Sequence, residues 1–529
     1  MFKHQYTFKE FNFSSQLIKD LVSNKQTVKP FVNRFFTTDA FKAQIQQKQF
    51  NAEQRKILVD ALKQQNQNIE LSELSINNIN LLQQDHTYTI TTGHQLNLLT
   101  GPLYSIYKIL QVVIWSEKLN RIYKNNHFVP VFWMATEDHD FEEINHINLF
   151  NQTIKWEKKN QLNYIAGAIK TDDNFNHQFK TKILDLFNDE QLKKKVETFL
   201  SLYNNSNLAN TTRRLINELF GELGLIIIDG NDPQLKQQFS PVIERELNEN
   251  MTYKTVNTTN QKLSQAGYHN QVFLRECNLF YIKENTTRYR IIKTENGYEI
   301  NGESFTTESL IKESESHPER FSPNALLRPV YQELVLPNLV YFGGGGEMAY
   351  WLQLKNLFDE LKLTYPLLRV RDSYVLLNQK QINQMDKLNL TVLDLKQPFD
   401  DLIKHYIKTK NDINFEKENL LLNELKTTIH NKTNKKDVGL TRFIESELTK
   451  MNNQLNKIEK KILQSEKKQQ EQLVNQIKRL KEKIYPQNSF QERYENFLQY
   501  IHQPDFIKFL KKEIEKNVKE TPFVNVVHI

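Results

Sequence analysis

The chain has 529 residues, 39% hydrophobic and 25% charged, with 14 Gly and 14 Pro, which excludes collagen-like, mucin-like and wholly disordered chains and allows roughly two to four domains. Seventy Lys and Arg against 63 Asp and Glu leave a formal charge of +7, too mild over this length to argue for nucleic acid or an anionic membrane. Cys277 is the single cysteine, so an internal disulfide framework and a multi-cysteine zinc site are excluded and a reducing, cytoplasmic setting fits.

In chain order, Met1–Phe11 mixes charged and aromatic residues without the apolar core of a signal peptide. The first 85 residues read as polar helices, among them Ala52–Gln65, where Ile57, Leu58 and Leu62 fall at helical spacing. Tyr88–Thr92 is a short β-branched run ending at Gly93. Thr100 is the expected N-cap of a long helix with Pro102 in its first turn, carrying Leu103, Tyr107, Leu110 and Ile114 on an apolar face. Phe128–Ala135 is almost wholly apolar, as a strand buried on both faces of a parallel sheet must be. Leu223–Asp229 and Asn338–Phe342 repeat that pattern, the second followed by four glycines and a helix expected over Glu347–Leu361. Strands alternating with helices predict an α/β fold with a mostly parallel sheet. The longest apolar runs, such as Leu225–Ile228, fall far short of the roughly 20 residues of a membrane-spanning helix.

Two stretches break the rhythm. Residues 150–210 are polar and Lys-rich and read as an insertion. Residues 271–306 hold short alternating runs (Val272–Arg275, Phe280–Lys283, Tyr289–Lys293) and read as a small antiparallel meander. Near the C-terminus, Ile444, Leu448, Met451, Leu455, Ile458 and Ile462 are spaced 4, 3, 4, 3, 4. After a polar gap, Leu473, Ile477, Leu480 and Ile484 resume that rhythm up to Pro486. This predicts a coiled-coil arm in which Phe399–His430 packs back through a turn at Asn431–Asp437, with the gap locally unwinding the seam. The expected division is a core over 1–385, an arm over 386–485, and C-terminal helices over 486–529 returning to the core.

Three polar clusters fall at strand ends, where open α/β sheets bind ligands. In Thr92-Gly93-His94-Gln95 with Thr100-Gly101, the helix start could hold a phosphate or carboxylate, or the glycines could simply serve a tight turn. Glu137-Asp138-His139-Asp140, continuing to Asn145, suits general acid/base work or an ammonium group. A metal stays open there, although no HExxH or EF-hand spacing is present; a solvated loop capping a helix is the plain alternative. Gly343-Gly344-Gly345-Gly346-Glu347, ahead of Tyr350, is understandable where a ligand approaches the backbone. Arg320, Arg328, Arg369 and Arg371 could clamp anions, and Cys277 reads as a buried structural thiol.

Together, TTGHQLNLLTGPLYSIYKIL from Thr91, VPVFWMATEDHDFEEINH from Val129, FSPNALLRPVYQELVLPNLVYFGGGGEMAYWLQLK from Phe321 and IYPQNSFQERYENFL from Ile484 resemble the bacillithiol biosynthesis cysteine-adding enzymes across almost the whole chain. The resemblance implies a Rossmann-like core related to class I nucleotidyl transferases, with insertions and a coiled-coil arm used in homodimerisation. It implies a ligase that joins cysteine through its carboxyl group to the amine of glucosaminyl malate, the last step of bacillithiol synthesis. Carried onto this chain, Gly93, His94, Gln95, Thr100, Gly101 and Tyr104 line the pocket. Glu137, Asp138, His139, Asp140 and Asn145 form a second wall, with Gly343, Gly344, Gly346 and Glu347 opposite and Arg328 and Tyr350 beside them. His94 stands where many members have Gln, and Gly345 where many have Pro.

Amide formation from a free carboxylate needs activation, and a class I-like fold suggests ATP. On that reading His94 and the Thr100-Gly101 helix start hold phosphates, while Asp138 and His139 bind and deprotonate the amine. A nucleotide-binding scaffold without catalysis, and another amino-acid-activating ligase, are the alternatives.

Overall fold

The computed structural model describes residues 4–12, 14–158, 163–204, 206–284, 286–411, 413–432 and 438–529. The chain divides into two units, one of His4–Leu376, Glu492–Val527 and Ile529, the other of Leu377–Gln491 with His528.

The larger unit is built on a five-stranded parallel sheet. Its strands are β1 (Thr87–His94), β2 (His127–Met134), β3 (Ile226–Asp229), β4 (Asn338–Gly343) and β5 (Leu367–Val370), in the spatial order β5-β4-β1-β2-β3. This is the doubly wound order of a Rossmann-like sheet, in which the chain reverses its direction of travel between β1 and β4. β1 carries polar β-branched residues in the sheet centre, and β4 satisfies them. Thr91 Oγ1 donates to Asn338 Oδ1 (2.8 Å) and Thr92 Oγ1 to the Phe342 carbonyl (2.8 Å). Helix α1 covers Ala52–Gln65, as its spacing predicts, and Asn51 caps it by accepting from the Gln54 N–H.

Helix α2 (Tyr104–Ile122) crosses from β1 to β2 and is buried at every position from Ser105 to Ser116. Trp115 on this helix meets the Phe36 ring edge-on at 4.8 Å, and Phe36 in turn meets Phe342 of β4 at 5.9 Å. Thr100 is not the N-cap of α2. The chain turns left-handed through Leu99, Thr100 and Gly101 (φ 49°, 67° and 64°), and the helix begins at Tyr104. Tertiary bonds hold that turn: Asn496 Nδ2 donates to the Leu99 and Gly101 carbonyls (2.8 and 2.7 Å), and the Leu103 N–H donates to the Glu495 carbonyl (2.9 Å). Capping chemistry is local, so a start held from residue 495 is invisible to it.

The stretch at 150–210 has an aromatic core of its own. Phe175 lies 5.0 Å from both Trp156 and Tyr203, and helix α3 (Leu208–Phe220) leads from it into β3. The meander is a five-stranded antiparallel sheet of Leu279–Lys283, Thr287–Thr294, Gly297–Ile300, Glu303–Phe305 and Phe321–Pro323. Val272–Arg275 is not a strand, because the Gln271 and Val272 N–H groups donate to the Gln353 side chain (3.1 and 3.0 Å). The helix expected over Glu347–Leu361 is α4 (Gly345–Trp351), a tighter turn at Leu352–Leu354, and a second helix at Lys355–Glu360. Gln353, in that turn, is buried and donates to Asn260 Oδ1 (2.7 Å). Strand Phe523–His528 lies between Gln5–Thr7 and Ser373–Leu377, tying the chain's ends together.

In the smaller unit, α5 (Phe399–Lys410), α6 (Glu416–Lys432), α7 (Val438–Gln469) and α8 (Glu471–Ile484) form the arm. The expected single helix over Phe399–His430 is therefore two helices, α5 and α6. The polar gap in the heptad pattern coincides with a break at Gln470, and α8 ends just before Pro486. Ile477, Leu480 and Ile484 are buried, and Lys481 Nζ donates to the Leu395 and Gln397 carbonyls. Further along the seam, Met451, Ile458 and Ile462 are 48%, 54% and 40% exposed. Residues 433–437 of the expected Asn431–Asp437 turn lie outside the described residues.

Within the larger unit, Glu492 anchors the C-terminal segment. Its carboxylate takes both terminal nitrogens of Arg371 (2.9 and 2.7 Å), the Ser373 hydroxyl (3.0 Å) and the Tyr374 N–H (3.1 Å). Both members of the pair are buried. Arg371→Met is expected to cost about 3–5 kcal/mol by leaving a buried carboxylate without its cation. Adding Glu492→Met should restore part of the loss; urea unfolding of the single and double variants checks both.

Candidate active site

β1 ends in Gly93-His94 and β4 in Gly343, so both stop at the point where the strand order reverses. Lys108 of α2 reaches this point, donating to the Gly93 carbonyl (2.5 Å) and to both Glu347 oxygens (3.0 and 2.9 Å). Glu347 also accepts from the Gly344 N–H (2.7 Å) and the Tyr341 hydroxyl (3.1 Å). Burial pushes Glu347 upward, but Lys108 and the Gly344 N–H outweigh it and hold the carboxyl below its usual range. Burial also lowers Lys108, against the opposing pull of Glu347.

His94 sits beside this pair with its ring edge-on to Tyr104 at 5.2 Å. Burial first, and then the positive charge of Lys108, take the imidazole from 6.5 down to about 3. His94 is therefore neutral, and its Nε2 is buried without a hydrogen-bond partner. Arg371 lies over the Tyr104 ring at 5.1 Å. Arg328 lies over the Tyr341 ring at 5.5 Å and donates to the Tyr350 hydroxyl (3.1 Å) and to Gln332 Oε1 (3.0 Å). Among the described residues no carboxylate pairs with Arg328. The cluster thus sets the cations Lys108, Arg328 and Arg371 against the anions Glu347 and Glu492, and the surplus positive charge suits a carboxylate or phosphate.

The glycines here play different parts. A Cβ at Gly101 would lie 2.7 Å from Asn97 Cβ at a left-handed φ, and one at Gly343 would lie 2.6 Å from Met348 Cε. A Cβ at Gly346 would meet nothing within 4 Å, so the protein's own packing leaves that position open. Gly345 is the first residue of α4, a position where a proline would fit without losing a helical hydrogen bond.

The second cluster follows β2. Segment 165–167 braces it, since the Ala166 and Gly167 N–H groups donate to the Asp138 and Thr136 carbonyls (2.6 and 2.9 Å). Glu137 pairs with buried Lys236. Asp138 accepts from Gln95 Nε2 (2.7 Å) and from the His139 N–H (2.8 Å). Gln95 thereby links the end of β1 to the acidic loop. Asp140 accepts from the Glu143 N–H (3.3 Å) at the start of a short helix, and Asn145 is buried beneath the loop with its Oδ1 3.3 Å from His146 Nδ1. Among the described residues, no group of three or more His, Cys, Asp or Glu is placed to hold a metal ion.

Gly93, His94, Tyr104, Arg328, Gly343, Gly344, Gly346, Glu347 and Tyr350 therefore gather at the strand-order reversal. Gln95, Glu137, Asp138, His139, Asp140 and Asn145 gather at the loop beside it. Thr100 and Gly101 do not form a helix start that could hold phosphates, because the Gly101 N–H donates to the Leu98 carbonyl and α2 begins further on. Arg320 and Arg369 pair with Glu313 and Asp372. Burial pushes the Cys277 thiol up to about 12, as expected of an unreactive structural cysteine. Lys108, Tyr341, Lys236 and Arg288 are additional members of these clusters. Only Lys108 has a sequence signal, as the one charged residue between Tyr104 and Ser116 on an otherwise apolar helix.

A family model described as "Bacillithiol biosynthesis BshC, N-terminal Rossmann-like domain" matches residues 1–372, and one described as "Bacillithiol biosynthesis BshC, C-terminal coiled-coil domain" matches residues 374–521. A Flavobacterium psychrophilum protein named "Putative cysteine ligase BshC" is 42% identical over 500 residues, 93% of each chain. Proteins of the same name from Flavobacterium johnsoniae and Bacillus cereus are 39% and 28% identical, over 92% and 94% of this chain and 92% and 95% of their own.

Three outcomes follow from this geometry. As pH falls through 6.5, the unfolded chain protonates His94, while the native state resists until about 3. Native stability associated with neutral His94 is thus complete above 6.5 and is lost progressively below it. Unfolding free energies of His94→Gln from urea titrations should fall less steeply over that window than those of the parent, by at most about 1.4 kcal/mol per pH unit. Gly343→Ala should destabilise by about 1–3 kcal/mol through overpacking. Gly346→Ala should leave the melting temperature unchanged or raised and depress turnover, as thermal melts and steady-state rates would show.

Proposed function

The chain belongs to the bacillithiol biosynthesis BshC family and is a ligase, and we propose that it joins the carboxyl group of L-cysteine to the amine of glucosaminyl malate, with ATP activating the cysteine carboxylate. The observation that carries this reading is the surplus positive charge at the strand-order reversal, with Arg328 unpaired by any described carboxylate, beside an acidic loop. A substrate bearing malyl carboxylates and an amine is complementary to such a pair of clusters.

In the proposed reaction a cysteine carboxylate oxygen attacks the α-phosphorus of ATP, the bond from that phosphorus to the bridging oxygen breaks, and pyrophosphate leaves. The mixed anhydride formed is an acyl adenylate. The glucosaminyl nitrogen then attacks the acyl carbon, the C–N bond forms, the bond to the phosphorylated oxygen breaks, and the amine proton passes to a carboxylate of the loop. On this reading the partly exposed Asp138 of the loop takes that last role, and Arg328 and Lys108 supply positive charge for phosphate and carboxylate oxygens. The exposed Met451, Ile458 and Ile462 on α7 support a homodimer formed through the arm. Such an enzyme belongs in the cytoplasm, where cysteine and ATP are available.

Incubating the protein with cysteine, glucosaminyl malate and ATP should yield bacillithiol by mass spectrometry. Arg328→Met should raise KM for the malate substrate by about tenfold or more while changing kcat less. No product with all three substrates would overturn the reading, and an unchanged KM would remove Arg328 from it. Sedimentation at micromolar concentration should give a dimer, and Met451→Glu with Ile458→Glu should shift it to monomer.

A further inference from the structure

The antiparallel sheet does more than fill space beside the Rossmann-like core. Its strand Thr287–Thr294 carries Arg288 to the acidic loop, where Arg288 Nη1 lies 3.3 Å from His139 Nδ1. The guanidinium is fixed from two other sides, and the backbone that carries it is held by a third contact. Nη2 donates to the Pro323 carbonyl (2.7 Å), the Arg288 N–H donates to the Asn163 carbonyl (2.7 Å), and the charge lies 3.9 Å from the Phe280 ring centroid. The His139 ring leans on the same phenyl ring at 5.5 Å.

An arginine has donors and no acceptor, so the histidine nitrogen facing it must present a lone pair. The carboxylate nearest to that nitrogen, Asp138 Oδ1, is 4.0 Å away and is already engaged by the His139 N–H; it is too distant to claim a proton from Nδ1. We propose that Arg288 is a positioning residue that fixes His139 as the Nε2–H tautomer, making His139 a hydrogen-bond donor at this site and not the proton acceptor. The choice of acceptor for that bond rests on the ligase reading: it is the oxygen that gains negative charge when the amine attacks the acyl carbon. Proton removal is then left to Asp138.

The charges around the ring agree with this arrangement. Asp138 and Asp140 face it from its own loop, and Arg288 and Arg290 face it from the antiparallel sheet. Burial and then Arg288 lower the imidazole, against the opposing pull of Asp138, so the ring is neutral at ordinary pH. Its side chain is 29% exposed, and its Nε2 has no protein partner among the described residues, so the donor is free to meet a substrate.

Long-range 1H–15N correlation spectra of the full chain labelled in histidine would test the tautomer, with the His139 signals assigned by their loss in His139→Gln. Between about pH 6 and 8 the parent should show Nε2 protonated and Nδ1 not. Arg288→Met should release the tautomer and raise the titration midpoint. If that variant fails to fold, Arg288→Lys, which keeps a donor on a shorter planar-free head, should loosen the preference without reversing it. A protonated Nδ1 in the parent, or an unchanged tautomer in Arg288→Met, overturns the proposal. In kinetics, His139→Gln keeps a donor and should stay within about tenfold of the parent in kcat, whereas His139→Ala should lose about 10²–10³-fold. Equal losses in the two variants would make His139 a base and also overturn it. Failure of the parent to turn over cysteine, ATP and glucosaminyl malate would instead strike the ligase reading and leave the tautomer result standing.

Discussion

A charge placed inside an apolar helix organises the carboxyl edge of this sheet. Lys108 is 2% exposed on a buried stretch of helix made mostly of aliphatic and aromatic residues, and an ammonium there is tolerable only if every proton finds an acceptor. Gly93 and Glu347 supply those acceptors, so the helix after β1, the end of β1 and the start of α4 are bound to one another through a single side chain. Because β1 and β4 flank the reversal of strand order, that link sits at the point where doubly wound sheets bind their ligands. His94 inherits its neutrality from the same arrangement, since the burial that makes Lys108 costly also excludes a proton from the imidazole beside it.

The wall opposite is assembled from distant parts of the chain. Glu492, Glu495 and Asn496 lie far along the sequence, yet they hold Arg371 over the Tyr104 ring and fix the left-handed turn from which α2 departs. The antiparallel sheet contributes Arg288 from a third region. The two clusters differ in character as a result: one carries surplus positive charge, the other is acidic with a neutral histidine donor. Charges of opposite sign held apart by rigid elements can orient a substrate that bears both, which gives the amide-forming reading its physical basis.

Much of this was legible without coordinates. The strands at Tyr88–Thr92, Phe128–Ala135, Leu223–Asp229 and Asn338–Phe342 announce themselves by apolar or β-branched runs, and the C-terminal heptads by their spacing, even to the break at the polar gap. The residues at the strand ends followed from the rule that ligands bind there. Three of the exceptions share a cause. Thr100 was misplaced as a cap, Val272–Arg275 as a strand and Glu347–Leu361 as one helix because bonds from Asn496, Glu495 and Gln353 decide those backbones.

The sequence by itself determined the class of fold, the family, and which short segments stand at the strand ends, because periodicity and motif are properties of near neighbours. Only the tertiary structure decided how those segments are charged and which protons they hold. Whether Arg371 meets Glu492 and whether Arg288 reaches His139 depend on contacts across more than a hundred residues of chain, and that Arg328 meets Tyr350 and Gln332 instead of a carboxylate is likewise a matter of packing. Burial sets the strength of each such contact, and burial belongs to the packed molecule alone.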